Sequence, residues 1–520
     1  MGRLLGGSGA LNGMNFVVSA KEDLDSWAEL GNPGWDWESF SKYLKKTYTL
    51  TAGSKTENDG AIQVNIPDEE DKWPGVWRDT FAGLGFPADN DPFSGEIHGA
   101  VMYPDAIHPV SKTRSFSGNA YLTPARDRAN LTVWTGVSVN KILFDQNADG
   151  AVATGVQYTS KESESKTVSA RKEVVLCAGT FHSPKILEQS GVGDAKLLKS
   201  LGIDVVVDNP HVGENLQNHP MCVMVFETAD DGEEGFDTID PLARQDPAAL
   251  GAAMQTYATK QRGPFSKTNS NAMAHIPFPG INTASGKGDL EQLLNTHCSS
   301  AAAEEGGTLT PAYAKAHEAL VRSCLSSPTQ ASGYYLTFPG WAYYGPTGRL
   351  VPIPADGSEK YFSIALLLTH PLSRGSVHLN ADHKLAIDPN YLSHPLDAEV
   401  LARHVRFLES TLATAEPLAS RLKLDGKRAP AGWPKGFTAD LDKTKQFVRD
   451  TAVGAMHYTS TCSMMPRETG GVVDSQLRVY GTKNVRVVDA SIMPFTTRAN
   501  TMATVYGIAE KAADIIKTGL

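Results

Sequence analysis

The run Glu173-Val174-Val175-Leu176-Cys177-Ala178-Gly179 is apolar after its first residue and stops at a glycine. A stretch without polar alternation is covered on both faces, the condition of a strand inside a layered sheet. Ser183 and Pro184 follow as a helix cap and a first-turn residue, so a tight turn and then a helix are expected. The arrangement returns near the end of the chain. Val485 to Val488 is strand-like, Asp489-Ala490-Ser491 is a turn, and residues 502–517 place Val505, Ile508, Ala512 and Ile515 on one helical face. Strand, turn and helix in this order build doubly wound α/β sheets, which take their ligands at the strand ends.

Other elements are placed around these units. Residues 23–46 read as a helix, the turn Gly31-Asn32-Pro33-Gly34 and a second helix. Residues 130–143 alternate apolar and polar positions, and 155–158 and 167–176 continue as strands. Residues 230–360 are the least regular part, expected to be loops and a substrate-facing region with helix within 290–325. Strands at 361–368 and 375–379 and a helix over 397–413 follow. The five cysteines form no metal-ligand spacing. Cys177, inside its apolar run, is expected to be buried, and Cys298 and Cys324 are candidates for a bridge only in an oxidising compartment. The sequon Asn130-Leu131-Thr132 runs into strand-like sequence, which favours a structural role.

Composition excludes whole classes. With 41% hydrophobic and 20% charged residues over 520 positions, the chain is neither disordered nor a stapled mini-protein. A net charge of −10 without a Lys/Arg block excludes nucleic acid as an expected partner. Apolar runs such as 364–368 fall far short of the ~20 residues that cross a bilayer, so no membrane partner is expected. No signal peptide is recognisable, and the compartment is left unassigned. The opening Gly2 to Met14 is glycine-rich, yet Gly7-Ser8-Gly9 fails as a dinucleotide fingerprint. Position 12 is Asn, and no strand feeds the turn. A chain that opens inside such a loop is expected to lack something upstream.

Several separated strings resemble one family, the glucose–methanol–choline (GMC) oxidoreductases of fungal type. They are Gly2-Arg3-Leu4-Leu5-Gly6-Gly7-Ser8 through Asn12-Gly13-Met14, Trp27 through Trp35, and Tyr121-Leu122-Thr123-Pro124-Ala125 with Asn130-Leu131. Further along come Gly179 through Gly193, Gly213-Glu214-Asn215-Leu216-Gln217-Asn218-His219, Ser373-Arg374-Gly375, and His457 through Met465 with Asp489-Ala490-Ser491. The resemblance implies an α/β plus α+β fold: a discontinuous FAD-binding doubly wound domain (1–20, 112–222, 455–520) beside an antiparallel-sheet lid and substrate domain (21–111, 223–454). It also implies FAD held non-covalently, because Leu11 stands where some relatives tether the flavin through a His. Gly6, Gly7 and Gly13 would let backbone approach the cofactor, with Ser8, Asn12 and Met14 beside it. Val139 would lie near the adenine, Asp489 and Ala490 near the pyrophosphate and ribityl chain, and Thr501 and Met502 beside the ring.

By the same resemblance, His457 is the base that takes the hydroxyl proton of a small alcohol while hydride leaves for the flavin, and Asn500 holds the substrate oxygen. The implied activity is an FAD-dependent alcohol oxidase or dehydrogenase with oxygen or a quinone as acceptor. An aryl-alcohol or secondary-metabolite substrate is suggested only by analogy. Two other readings stay open: a lyase or cyclase with structural flavin, and a non-catalytic remnant. The family's ADP-binding strand, Gly-x-Gly-x-x-Gly turn and helix have no counterpart here, so the chain is expected to be truncated. That leaves open whether it holds FAD.

Overall fold

In the computed structural model, residues 2–66, 71–147, 150–160, 164–229, 236–298, 310–355 and 357–519 are described. The two apolar runs lie side by side as parallel strands, Val174–Leu176 against Val485–Val487, with Val174 opposite Val485. Each feeds the helix expected of it, Gly179–Gln189 and Met502–Thr518. The helices Lys21–Glu29 and Trp37–Thr47 also form, and the second packs on Met502–Thr518. Trp27, Trp35 and Phe40 are fully buried in that seam. Their indoles donate to the Phe495 and Ser475 carbonyls, which fastens the N-terminal helices to the C-terminal segment.

Three local expectations are corrected. The helix after Val174–Leu176 starts at Gly179, so Ser183 and Pro184 lie inside it rather than at its start. Asp489 is the reason: its Oδ2 accepts the Gly179 N–H at 2.9 Å and the Ser183 hydroxyl at 2.6 Å, replacing a local cap. Pro184 has no N–H for the Thr180 carbonyl one turn back, and the Thr461 hydroxyl donates to that carbonyl at 2.6 Å instead. Secondly, Cys177 is exposed. Val174–Leu176 has a strand partner on one edge only among the described residues, and Val175 is likewise 38% exposed. Thirdly, residues 130–137 form no strand and are largely exposed; pairing begins at Ser138–Asn147, against Gly150–Thr159. The run 167–176 is divided between two sheets, Ser165–Ser169 pairing with Gly150–Thr159. Cys298 and Cys324, candidates for a bridge only in an oxidising compartment, are buried free thiols here.

The irregular middle corrects a larger expectation. Ala272–Ile276 and Gly333–Phe338 are inner strands of a seven-stranded sheet, where loops were expected. The order is Arg428–Ala429, Pro220–Glu227, Tyr361–Leu368, Gly333–Phe338, Ala272–Ile276, Gly99–Met102, with Val453–Gly454 also on Pro220–Glu227. All these pairings are antiparallel. Both faces are covered, so Pro220–Glu227 and Tyr361–Leu368 are buried at every position. Strand alternation sorts the side chains: Cys222, Met224, Phe226 and Tyr335 face one core with the helix Pro395–Phe407. Met221, Val223, Val225, Met273 and Tyr334 face the other, which includes Ala499. The second face therefore delivers its side chains to the approach of the last helix. No described helix is long and apolar enough to cross a membrane.

Candidate active site

A cleft of about 440 Å³ opens where the glycine-rich opening, the two parallel strand ends and the last helix meet. Its walls include Gly6, Gly7, Ser8, Asn12, Gly13, Met14, Asp489, Ala490, Thr501 and Met502, together with His457 and Asn500. Of the expected site residues, Val139 alone lies outside this lining. It sits on the Ser138–Asn147 strand opposite Tyr158 and is 39% exposed. A larger cavity of about 790 Å³ lies beside the edge strand Gly99–Met102 and the helix Trp73–Gly83 and contains no histidine.

The opening loop owes its shape to glycine. Gly6 has φ 89°, and a Cβ there would stand 2.5 Å from the Phe116 ring. Ser8 and Asn12 are engaged within the protein. Ser8 Oγ accepts the Gly2 N–H, and Asn12 Oδ1 accepts from Arg114 and from the Met14 N–H while its Nδ2 reaches Met502 Sδ. Asp489 is a clamp: besides Gly179 and Ser183 on one oxygen, its other oxygen accepts the Ser491 N–H at 2.8 Å. Its carboxylate thus joins the ends of both parallel strands.

His457 is thrown into the cleft by a mismatch of register. Pro220 pairs with Gly454 and Gln217 with Thr459, so three steps on one strand oppose five on the other. The two extra residues bow outward, with Met456 at φ 64°. The His457 N–H donates to Asn218 Oδ1 at 2.8 Å, and its ring Nδ1 stands 2.9 Å from Nδ1 of His219. Burial pulls the His457 imidazole down to about 4, so the ring is neutral near neutral pH and keeps one nitrogen lone pair free to accept a proton.

Asn500 is oriented by Tyr334, whose hydroxyl donates to its Oδ1 at 2.8 Å. The Asn500 NH2 has no protein partner among the described residues and is the end left for a ligand. Tyr334 is wholly buried and stacks on His275 at 4.7 Å. The final helix begins at Met502 with no side-chain cap from Thr501, so its first N–H groups lack intrahelical acceptors. The cleft therefore offers backbone and amide donors, while the Asp489 oxygens are already occupied. Donors without a free carboxylate suit the carbonyl and ring-nitrogen acceptors of a flavin, and the residues present fit FAD at that end.

Sequence reasoning missed Tyr334 and His219 as members of this site. His219 stood inside the quoted Gly213 to His219 string without a role. Tyr334 carried no signal, since it sits in the irregular middle and next to a second tyrosine that faces the opposite core.

Comparison with known proteins accords with this geometry. Residues 1–221 and 371–509 match the N- and C-terminal sequence models described as GMC oxidoreductase. The chain is 32% identical over 537 residues to the GMC oxidoreductase family protein Mala s 12 of Malassezia sympodialis, covering 99% of this chain and 79% of that one. Among solved structures, an FAD-dependent oxidoreductase from Chaetomium thermophilum superposes with a TM-score of 0.85 at 26% identity, over 99% of this chain and 86% of that one. A fungal aryl-alcohol oxidase superposes with a TM-score of 0.83 at 25% identity, over 99% and 86%. With both sequence models matched in order and nearly the whole chain superposed, the protein belongs to the GMC oxidoreductase family, whose members are FAD-dependent flavoproteins.

Proposed function

We propose that the protein oxidises the CH–OH group of a small alcohol to a carbonyl, with His457 as base and Asn500 as the anchor of the substrate oxygen. One observation carries this reading: a neutral, half-buried imidazole and an amide of fixed orientation line the cleft that also holds the glycine loop and the uncapped last helix. Bound FAD supplies a hydride acceptor. Gly6, Gly7, Gly13, Ala490, Thr501 and Met502 would hold it, drawn from the segments 1–20, 112–222 and 455–520. Non-covalent attachment is favoured, because Leu11 has no nucleophile and is 64% exposed.

The alcohol enters with its oxygen between His457 and Asn500. The Asn500 NH2 donates to that oxygen and fixes the carbinol carbon toward the flavin side of the cleft. His457 Nε2 takes the hydroxyl proton as the C–H bond gives up its hydride, and the C–O bond becomes a carbonyl. The similarity to an aryl-alcohol oxidase supports an aryl alcohol as the first substrate to try. Oxygen or a quinone would then restore the cofactor.

The test is the visible spectrum of the chain purified after incubation with excess FAD, followed by anaerobic addition of aryl and aliphatic alcohols. Bleaching of bound flavin that His457→Ala abolishes supports the reading. Turnover without bleaching would make the protein a lyase or cyclase, and a colourless chain would sink the oxidoreductase reading for these residues.

A further inference from the structure

The base and its neighbour face each other through like atoms. His457 and His219 approach through Nδ1 and Nδ1 at 2.9 Å, with rings tilted at 78°. Two neutral imidazoles carry one N–H each, so one ring donates across this gap and the other accepts. A base acting through Nε2 of His457 must present a lone pair there, which puts its proton on Nδ1 and makes His219 the acceptor, with its own proton on Nε2. The Thr369 and Thr497 backbones favour the protonated His219 ring, and no acceptor completes a hydrogen bond with its Nε2 among the described residues.

We propose that His219 is a positioning residue for His457: it accepts the His457 Nδ1–H and so turns the lone pair of Nε2 into the cleft. This rests on His457 being the base. The groups that face His219 are His457 on one side and His370 on the other, the latter hydrogen-bonded through Nε2 to Asp23 at 2.8 Å. Complete burial above all, and then the neighbouring His457 and His370, keep His219 neutral, so it serves as an acceptor and not as a second acid. The placement follows from register as well. Ala455 N–H donates to the His219 carbonyl, which fixes the base of the outward bow that carries His457.

The test has two arms on the full chain. In the first, nitrogen-labelled histidine is incorporated and long-range proton–nitrogen spectra are recorded near neutral pH, with His457→Ala used to assign the signals. The expected result is His457 with a protonated Nδ1 and a bare Nε2; the opposite tautomer overturns the proposal. This arm needs neither cofactor nor turnover, so it reads the tautomer separately from activity.

In the second arm, His219→Leu removes the acceptor, while His219→Asn keeps an oxygen near the Nδ1 position. With FAD and an alcohol, the Leu variant should lose about 10- to 100-fold in kcat with KM little changed, and the Asn variant should recover most of it. Equal losses in both, tracking equal losses of melting temperature, would reduce His219 to a packing role. Full activity in His457→Ala would sink the base reading itself and leave the tautomer result untouched.

Discussion

Asp489 ties the ends of two strands that are far apart in sequence, and its removal should loosen the cleft before it unfolds the protein. One oxygen accepts Gly179 N–H and Ser183 Oγ–H at 2.9 and 2.6 Å, and the other accepts Ser491 N–H at 2.8 Å. Asp489→Asn preserves size but has one carbonyl oxygen. Whichever way its amide turns, an NH2 meets a buried N–H or hydroxyl, and at least one donor is orphaned. Hydrogen bonds to a charged acceptor contribute about 1.5–3 kcal/mol each, so the exchange should cost about 2–3 kcal/mol. Ser183→Ala removes only the 2.6 Å bond and should cost about 1–2 kcal/mol. Because both changes strike one network, the double variant should lose clearly less than the sum of the two. Urea unfolding of the four proteins, with flavin retention measured alongside, makes the comparison. An Asp489→Asn protein within about 0.5 kcal/mol of the parent, or strict additivity with Ser183→Ala, would refute the clamp.

Tyr334→Phe keeps the ring stacked on His275 and removes the donor to Asn500, together with the hydroxyl's contact to Met273 Sδ. Losing about 1 kcal/mol of orientation should lower kcat/KM for an alcohol roughly fivefold with an unchanged melting temperature. Thr461→Val leaves the Thr180 carbonyl without its stand-in for the Pro184 N–H and should destabilise by about 1–3 kcal/mol in denaturant titrations. In the alcohol assay kcat/KM should hold from neutral to mildly acid pH and fall tenfold per unit below about 4, as burial keeps His457 unprotonated until then. A limb near the ordinary value of about 6.5 would show the ring to be less shielded. His378 sits between Glu188 and Glu214, at 2.7 and 2.8 Å. Burial opposes its charge, but the two carboxylates override that and raise it to about 10. A raised folded value means stability that is complete below about 6.5 and lost as pH climbs through about 10. His378→Gln should flatten the melting temperature over that window, apart from the share of His370, which Cys324 and Asp23 raise to about 10 against burial.

What could be read in the sequence was what depends on near neighbours. The apolar runs at Val174 and Val485, the turn after each and the one-faced spacing of Val505, Ile508 and Ala512 are local patterns, and the strands and helix formed there. His457 and Asn500 came from the resemblance, and they line one cleft. Misreadings arose where a distant partner outweighs the local signal. Ser183-Pro184 has the chemistry of a helix start, yet the helix begins at Gly179 because Asp489, 306 positions after Ser183, takes over the capping. Ala272–Ile276 looked like loop because four apolar residues and His275, all buried on both faces, show no period. Tyr334 and Tyr335 are adjacent and alike, and only the pairing of Gly333–Phe338 decides which of them reaches Asn500.

The same reasoning bears on why a histidine, and not a carboxylate, stands behind His457. A carboxylate there would hold the base in place more strongly and raise its affinity for protons. It would also bury a negative charge in a cleft whose other contributions are backbone N–H groups, the Asn500 amide and an Asp489 already committed to three donors. A buried charge of that kind needs its own counter-charge, and the nearest candidate, His370, is hydrogen-bonded to Asp23. A neutral imidazole orients His457 without that cost. In the proposed reaction it would leave the imidazolium formed on proton uptake as the new charge near the reacting carbon, favouring the developing negative charge on the substrate oxygen. Burial sets the low proton affinity of His457, and a neutral partner leaves it low. Replacing His219 with Asp should therefore move the acid limb of the alcohol assay upward. If that limb stays where the parent has it, the neutral partner has no part in setting the base strength of His457.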